Sequence, residues 1–220
     1  MSTRKAIGQR LSRHDGLEKS TGKAKYNSDL NRPGMLQSAL LTSPYAHARV
    51  RSIDTSAAEK APGVAAVRVI APAGTELQWQ SQEIAVVAAQ TEQQARDGVR
   101  LIKIDYEVLP HVVREEDISK VGNRAKPAGE QLTGDPDKAF KEADVVNEGH
   151  YGIPVLTHCC LEPHGQVVQW NGDQVNYWPS TQNVSGIGGD LAKNIELPAT
   201  AIKVHQDHIG GGFGSKFGSD

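Results

Sequence analysis

The sequence is poor in cysteine and contains no long apolar run. Its two cysteines, Cys159 and Cys160, are adjacent, and neighbouring residues rarely reach disulfide geometry. This excludes the disulfide framework of small secreted domains and favours a reducing compartment. No stretch approaches the roughly 20 apolar residues that span a bilayer, and Met1–Gly16 lacks the apolar core of a signal peptide. We therefore expect no membrane span and a cytoplasmic location, with periplasmic co-export on a partner's signal as the alternative.

The chain also lacks an excess of charge of either sign. It carries 24 Lys and Arg against 26 Asp and Glu, a formal net charge of −2. Such a balance offers no basic footprint for nucleic acid or for an anionic membrane, so we expect neither as a partner. Glycine and proline are frequent, at 22 and 11 residues, which favours a turn-rich mixture of strands and helices over a helical bundle.

The first half of the chain shows alternating strand and helix patterns. We interpret residues 1–16 as an N-terminal arm and residues 17–121 as one mixed α/β (α+β) domain. Alternating or β-branched runs predict strands at Leu36–Thr42, His47–Ile53, Val64–Ile70, Glu83–Ala89 and Ile102–Val108. A capping pattern at Thr91 and Gln94 predicts a helix that runs to about Leu101, and a shorter helix is expected from Thr55 to Ala61.

Residues 122–136, rich in glycine, proline and charge, predict a linker. Residues 137–220 then form a second segment. It begins with a short helix at Asp137–Ala143, and a further helix is expected at 183–194. Asn171-Gly172-Asp173 is typical of a hairpin turn. Strands are predicted at Asp144–Ile153, Gln166–Trp170, Gln174–Trp178 and Ala201–His205.

The end of the chain is a glycine-rich loop, Gly210–Lys216, that follows a strand. Bare backbone can approach a ligand closely, and its N–H groups can form a nest for an anion. A nucleotide-binding P-loop is excluded, because Ser215 precedes Lys216 and Phe217 follows it. We interpret the loop as part of a domain whose remainder is supplied elsewhere; a flexible tail is the alternative.

Two polar clusters precede this loop. His158, Cys159, Cys160, Glu162 and His164 are zinc-ligand types, but their spacing fits no standard zinc pattern. The pattern favours packing and hydrogen bonding at a strand junction, and a metal- or thiol-binding protein remains the alternative.

The second cluster, Ser180–Asn183, follows a predicted strand and is typical of a polar helix cap. The functional alternative is Gln182 beside a ligand, since its amide can donate to an oxygen and orient it.

In this order, the pieces resemble the large subunit of the molybdenum hydroxylases, the family of xanthine dehydrogenases, aldehyde oxidoreductases and aerobic carbon monoxide dehydrogenases. The resemblance implies a hammerhead domain followed by the first part of a molybdopterin-binding domain. The motifs that carry it are Gly8–Asp29, Pro33–Leu36, Ser43–Arg49 and Tyr106–Pro110 in the first segment, and His158, Glu162–Gly165, Ser180–Gln182 and Gly210–Lys216 in the second.

The resemblance also implies roles for single residues. The amide of Gln182 would face the apical oxo group of the molybdenum, and the backbone of Gly211, Gly212, Phe213 and Gly214 would contact the cofactor. No residue of this chain would ligate the metal directly. Phe217 stands where xanthine-oxidising members carry a glutamate, which favours a less polar substrate such as an aldehyde. The family's general base, a glutamate near the end of a longer subunit, has no counterpart here.

By the same resemblance, the cofactor is molybdenum-molybdopterin in its cytosine dinucleotide form. Two cysteines are too few for iron–sulfur clusters, so 2Fe-2S clusters and FAD would reside in partner subunits. A further partner would carry the remainder of the molybdopterin-binding domain. The expected function is one part of a molybdenum-dependent oxidation of aldehydes or N-heterocycles with water as the oxygen source. A non-catalytic assembly module is the alternative.

Overall fold

The computed structural model describes residues 7–126 and 129–219. The chain separates into two compact units. The middle unit is Arg32–Gly149, and the flanking unit combines the chain before it with the chain after it. Each is described by itself. The mixed composition of strands and helices confirms the predicted fold class.

The helices and strands are numbered in chain order. The helices are α1 (Gly16–Ser20), α2 (Ser56–Glu59), α3 (Glu92–Leu101), α4 (Pro136–Glu142) and α5 (Ile187–Asn194). The strands are β1 (Gln37–Thr42), β2 (Ala48–Asp54), β3 (Val64–Val69), β4 (Glu76–Leu77), β5 (Glu83–Ala89), β6 (Lys103–Val108), β7 (Gln166–Asn171), β8 (Gln174–Pro179) and β9 (Ile202–Val204). None of the described helices is long and apolar enough to cross a membrane.

The middle unit contains two antiparallel sheets with the strand orders β1-β5-β3 and β4-β2-β6. Strand β5 is central in the first sheet, which explains why its sequence is a continuous apolar run. The partly buried side chains of Leu41, Ile53 and Ile104 belong to both apolar clusters of this unit. The two clusters therefore form one continuous core between the strands.

Helix α3 covers this core and connects β5 to β6. It begins with the capping box that the sequence predicts, because the Thr91 hydroxyl accepts from the Gln94 N–H and the Gln94 side chain accepts from the Thr91 N–H. Gly98 lets the helix approach β5 closely: a Cβ at this position would lie 2.8 Å from Cγ1 of Val87. The connected strands belong to different sheets, a pairing that local sequence does not specify.

The flanking unit is built around the sheet β7-β8-β9. Strands β7 and β8 form an antiparallel hairpin, whereas β9 pairs with β8 in parallel. One face of α5 packs on this sheet, and its core consists of Val175, Tyr177, Ile187 and Leu191. Because parallel strands end at the same edge of a sheet, the segments after β8 and β9 emerge side by side. These segments are Ser180–Gln182 and the approach to the glycine loop.

Residues 17–31 group with the flanking unit, although the sequence analysis assigned them to the domain that ends at 121. The Asn27 side-chain amide donates to the carbonyl of Gly165. The ring of Tyr26 lies 5.9 Å from that of His208, measured between centroids. Such contacts join positions more than a hundred residues apart. Local sequence patterns do not indicate them, and those patterns group this segment with its sequence neighbours.

The predicted strand Asp144–Ile153 is wrong. This stretch contains no strand, and its apolar side chains are exposed, among them Val145 and Ile153, each 85% accessible. A β-strand requires a neighbour for its backbone hydrogen bonds, and no described segment pairs with this one. The alternation of apolar and polar residues therefore predicted a strand in a stretch that has no pairing strand among the described residues.

Candidate functional site

Gln182 and the glycine loop hold each other in place. The backbone N–H of Gln182 donates to the carbonyl of Lys216 at 2.7 Å. In return, Oε1 of Gln182 accepts from the N–H of Gly214 at 2.8 Å and, more weakly, from that of Lys216 at 3.4 Å. Both partners are donors, so the amide oxygen must face the loop. The NH2 group of Gln182 is left to serve a different acceptor.

The glycine loop has an unusual backbone. Gly211 and Gly214 adopt φ values of +103° and +101°, and Phe213 adopts +51° although it carries a side chain. The N–H groups of Gly211, Gly212 and Phe213 donate to no other residue in the described part of the chain. A run of N–H groups in a backbone that changes handedness can receive anionic oxygens, and this loop therefore has the donors that a phosphate or oxo group needs.

Two of the consecutive glycines also serve the packing of the protein itself. A Cβ at Gly212 would lie 2.3 Å from Cδ of Gln182, and one at Gly210 would lie 2.4 Å from Cβ of Glu162. Real Cβ atoms do not approach that closely, so side chains at these positions would displace their neighbours. Gly210 and Gly212 thus permit the positions of Glu162 and Gln182.

A buried polar network lies directly behind the loop. Nζ of Lys216 donates to the carbonyl of Glu162 and to Oγ of Ser180, each at 2.7 Å, and lies 3.8 Å from Oε2 of Glu162. That carboxylate oxygen also accepts from the Ser180 hydroxyl at 2.9 Å and from the Gly210 N–H at 2.7 Å. The side chains of Lys216 and Glu162 are 0% and 5% exposed. The network connects the strand end, the glycine loop and the Glu162 segment.

Sequence reasoning missed this network. It treated Glu162 as one of several metal-ligand types and Lys216 as a lysine that does not fit the P-loop pattern, and it placed each in a separate family motif. The two residues are 54 positions apart, and nothing in the local pattern of either indicates the pairing. The favoured interpretation of Glu162, packing and hydrogen bonding at a strand junction, is confirmed by its burial and its contacts.

The remaining residues of the first polar cluster lie beside the loop. Nε2 of His164 is 3.2 Å from Oγ of Ser215, and Sγ of Cys160 is 3.8 Å from the same oxygen. The Ser215 hydroxyl donates to the carbonyl of Gly212. Both cysteines are free thiols, and Cys159 is exposed. In the described ranges, no group of three His, Cys, Asp or Glu side chains could hold a metal ion.

The two aromatic residues of the loop region are accessible. The side chain of Phe213 is 72% exposed and that of Phe217 is 53% exposed. The carbonyl of Phe217 accepts from the side-chain amide of Asn183 at 3.4 Å, which keeps Phe217 beside the segment that carries Gln182. The structure therefore brings together the residues that the sequence analysis assigned to the site: Gln182, Gly211, Gly212, Phe213, Gly214 and Phe217.

Comparison with known proteins agrees with this architecture. Residues 21–73 match the family model "Aldehyde oxidase and xanthine dehydrogenase, a/b hammerhead domain". Residues 118–219 match the family model "Molybdopterin cofactor-binding domain". The second match contains Gln182, the glycine loop and the buried network.

Individual relatives extend the match over nearly the whole chain. The chain is 30% identical to the aldehyde oxidoreductase molybdenum-binding subunit PaoC of Escherichia coli strain K12, over 96% of its own length and 31% of that subunit. It is 32% identical to the nicotinate dehydrogenase large molybdopterin subunit of Eubacterium barkeri, over 96% of its length and 55% of that subunit. Among solved structures, quinoline 2-oxidoreductase from Pseudomonas putida 86 superposes with a TM-score of 0.81 at 28% identity, covering 97% of this chain and 32% of the other.

These matches, together with the site, define the class of protein. The chain belongs to the xanthine dehydrogenase and aldehyde oxidoreductase family of molybdenum-containing oxidoreductases, within their molybdenum-binding subunit. It spans about a third of the length of the E. coli subunit and of the quinoline enzyme's chain. The hammerhead match lies mostly in the middle unit and the cofactor-domain match mostly in the flanking unit, although the matched ranges cross the unit boundaries at residues 21–31 and 118–149.

Proposed function

We propose that this chain supplies one portion of the molybdenum-cofactor site of an enzyme that oxidises aldehydes or N-heterocycles. The observation that carries the proposal is the fixed Gln182 amide, which lies beside three consecutive backbone N–H groups without protein acceptors among the described residues. The relatives include an aldehyde oxidoreductase and a nicotinate dehydrogenase. When bound, the cofactor supplies a two-electron oxidation in which water provides the oxygen that the substrate gains.

The residues of the site fit an anionic, oxygen-rich cofactor. The NH2 group of Gln182 would be available to donate to it, because the amide oxygen already accepts from the Gly214 and Lys216 N–H groups. The N–H groups of Gly211, Gly212 and Phe213 offer further donors that need no reorganisation. The backbone at Gly214 is open, because a Cβ built there would meet, among the described residues, only Nε2 of His158, at 3.7 Å.

The substrate is proposed to approach next to Phe217, whose half-exposed ring offers an apolar surface. An aldehyde or a weakly polar heterocycle suits such a surface better than a polyhydroxylated purine does. The general base that removes a proton is proposed to come from the polypeptide that completes the subunit. Within this chain, the described site consists of binding and orienting groups.

An exposed apolar segment supports a partner for the flanking unit. Tyr151, Ile153 and Val155 alternate along a stretch outside the helices and strands and are 81%, 85% and 91% exposed, and the neighbouring Leu156 is 76% exposed. Leu161 follows at 97%. Apolar side chains at this spacing are typical of a strand with one buried face. We propose that the remaining polypeptide of the molybdenum subunit pairs with this segment and covers it.

The other redox centres are proposed to lie in separate subunits. The chain has only two cysteines, both free thiols, while an iron–sulfur cluster requires several. We therefore propose an iron–sulfur subunit with 2Fe-2S clusters and an FAD-binding subunit as partners. The cofactor is proposed to be the cytosine dinucleotide form of molybdopterin. Adjacent free thiols favour a reducing cytoplasm for the assembled enzyme.

The experiment is purification from the natural source through a tag on this chain, with mass spectrometry of the accompanying chains and elemental analysis for Mo and Fe. Aldehyde-dependent reduction of an artificial electron acceptor is then compared between the native protein, Gln182→Ala and the matched control Gln169→Ala on the exposed face of β7. We expect Mo and Fe in the complex, and a loss of turnover only in Gln182→Ala. A complex without Mo would contradict the proposal and favour a non-catalytic assembly module.

A further inference from the structure

Lys216 is the most deeply buried charged side chain among the described residues, and it lies at the end of a loop whose middle, Phe213 and Gly214, is exposed. Its relative exposure is 1%, whereas Phe213 and Phe217 on either side are more than half exposed. Burial of an amino group is unfavourable unless it is hydrogen-bonded and paired. The Glu162 carbonyl, the Ser180 hydroxyl and the Glu162 carboxylate supply these partners. The loop thus ends in an anchor.

This anchor acts on Gln182 through the backbone of Lys216. The carbonyl of Lys216 accepts from the Gln182 N–H and from the Thr181 hydroxyl, and its N–H donates to the Gln182 side chain. Because these hydrogen bonds connect the two residues, the position of the Lys216 backbone determines the position of Gln182. Displacement of the anchor therefore moves the amide.

The carboxylate of Glu162 controls the other end of the loop. Its Oε2 accepts from the Gly210 N–H and from the Ser180 hydroxyl, so one oxygen joins the start of the loop to the end of β8. The Glu162 N–H donates in return to the carbonyl of Gly210. Glu162 and Lys216 together thus hold both ends of the segment that carries the free N–H groups.

We propose that Glu162 and Lys216 are positioning residues that set the Gln182 amide and the glycine loop for the molybdenum cofactor. The inference rests on the proposed function, because it assigns these residues a role towards the same site. Both side chains are buried and bond to each other's segment, to Ser180 and to Gly210, so both act through Gln182 and the backbone. A pair of opposite formal charges with directional hydrogen bonds specifies one loop geometry, whereas apolar packing of equal volume does not specify orientation.

The test uses the tagged complex from the natural source with four variants. Lys216→Met and Glu162→Gln remove one member of the pair with little change in volume, and the double variant removes both. Ser180→Ala retains both charges and deletes the hydroxyl that bridges them. Lys193→Met, on the exposed side of α5, is the matched control. The readouts are Mo per polypeptide, the EPR signal of Mo(V), turnover per bound Mo and the thermal unfolding temperature.

We expect Ser180→Ala and Glu162→Gln to alter the Mo(V) signal and to lower turnover per bound Mo by about tenfold or more, as for other outer-shell partners of metal sites. Lys216→Met should lose the most Mo, because it leaves the Glu162 carboxylate buried without its counter-charge, and the double variant should recover part of it. The control should match the native protein in every readout.

An unchanged EPR signal and unchanged turnover per bound Mo in Ser180→Ala and Glu162→Gln would overturn the inference, even if their unfolding temperatures fell. That pattern would identify the pair as purely structural. Failure of the proposed function is a different result, since the native complex itself would then contain no Mo. Loss of Mo at an unchanged unfolding temperature would support the inference, because the fold would persist while the site was lost.

Discussion

The side-chain oxygen of Gln182 accepts a hydrogen bond from the backbone N–H of Gly214 at 2.8 Å. The two partners are 32 residues apart in sequence, and each stabilises the conformation of the other. Gly212, which lies between Gln182 and the rest of the loop, has no room for a side chain. The position of the amide thus depends on a residue that contributes no side chain.

The substitution Gly212→Ala should therefore remove function more than stability. Its Cβ would lie 2.3 Å from Cδ of Gln182, the flexible end of a side chain, which would move away. We expect turnover per bound Mo to fall by as much as about 100-fold, as for other misplacements of about 1 Å. The free energy of unfolding should fall by only about 1 kcal/mol. Gly218→Ala, whose Cβ meets open space, is the control; native turnover in Gly212→Ala would contradict the packing argument.

In the middle unit, Gly98→Ala should destabilise the fold. The added methyl group would lie 2.8 Å from Cγ1 of Val87 and 3.2 Å from Cγ2 of Val64, so α3 would have to move away from the sheet. Overpacking of this kind costs about 1–3 kcal/mol, measurable by denaturant unfolding. Gly189→Ala, in α5 and facing open space, should leave stability unchanged or raise it by up to about 1 kcal/mol. Equal effects of the two substitutions would show that α3 does not pack closely.

The contact between His47 and Glu76 should make the stability of the middle unit depend on pH. A hydrogen bond from His47, with a contribution from Arg49, holds the pKa of the Glu76 carboxyl below its usual value. A carboxyl with a lowered pKa stabilises the fold above its unfolded pKa, and this contribution is lost as the pH falls through the folded pKa. We expect native protein to be more stable than Glu76→Gln near pH 7 and the difference to shrink below about pH 4. Glu83→Gln, at the exposed start of β5, is the matched control.

Hydrogen exchange in the exposed apolar segment, residues 151–156, should change when the chain assembles with the rest of the molybdenum subunit. In the chain alone, the backbone N–H groups of residues 151–153, 155 and 156 have no strand partner among the described residues and should be among the fastest to exchange with solvent. In the complex they should become protected, because a neighbouring strand would satisfy their N–H groups. Hydrogen exchange read by mass spectrometry distinguishes the two states, with the β8 peptide as the internal reference. Equal exchange in both states would contradict the proposed pairing.

Much of the local structure follows from the sequence. The strand Glu83–Ala89 and the Thr91 capping box occur where the sequence predicts them, because an apolar β-branched run and a hydroxyl three residues before an amide act over short distances. The turn at Gly172 between β7 and β8 is likewise confirmed, since a positive φ favours glycine. The proximity of Gln182 to the glycine loop came from family resemblance; neither residue pattern alone specifies it.

Tertiary structure decided the rest. Strands β5 and β6, which α3 connects, belong to different sheets. Their placement depends on backbone hydrogen bonds to strands that are distant in sequence. The burial of Lys216 against Glu162 depends on a parallel β8–β9 pair that brings distant segments to one edge. The sequence by itself determined most of the helices and strands and the residue types of the site, because propensity, capping and turn chemistry are local. Only the folded chain decided which charges are buried together, because burial is a property of everything that packs around a residue.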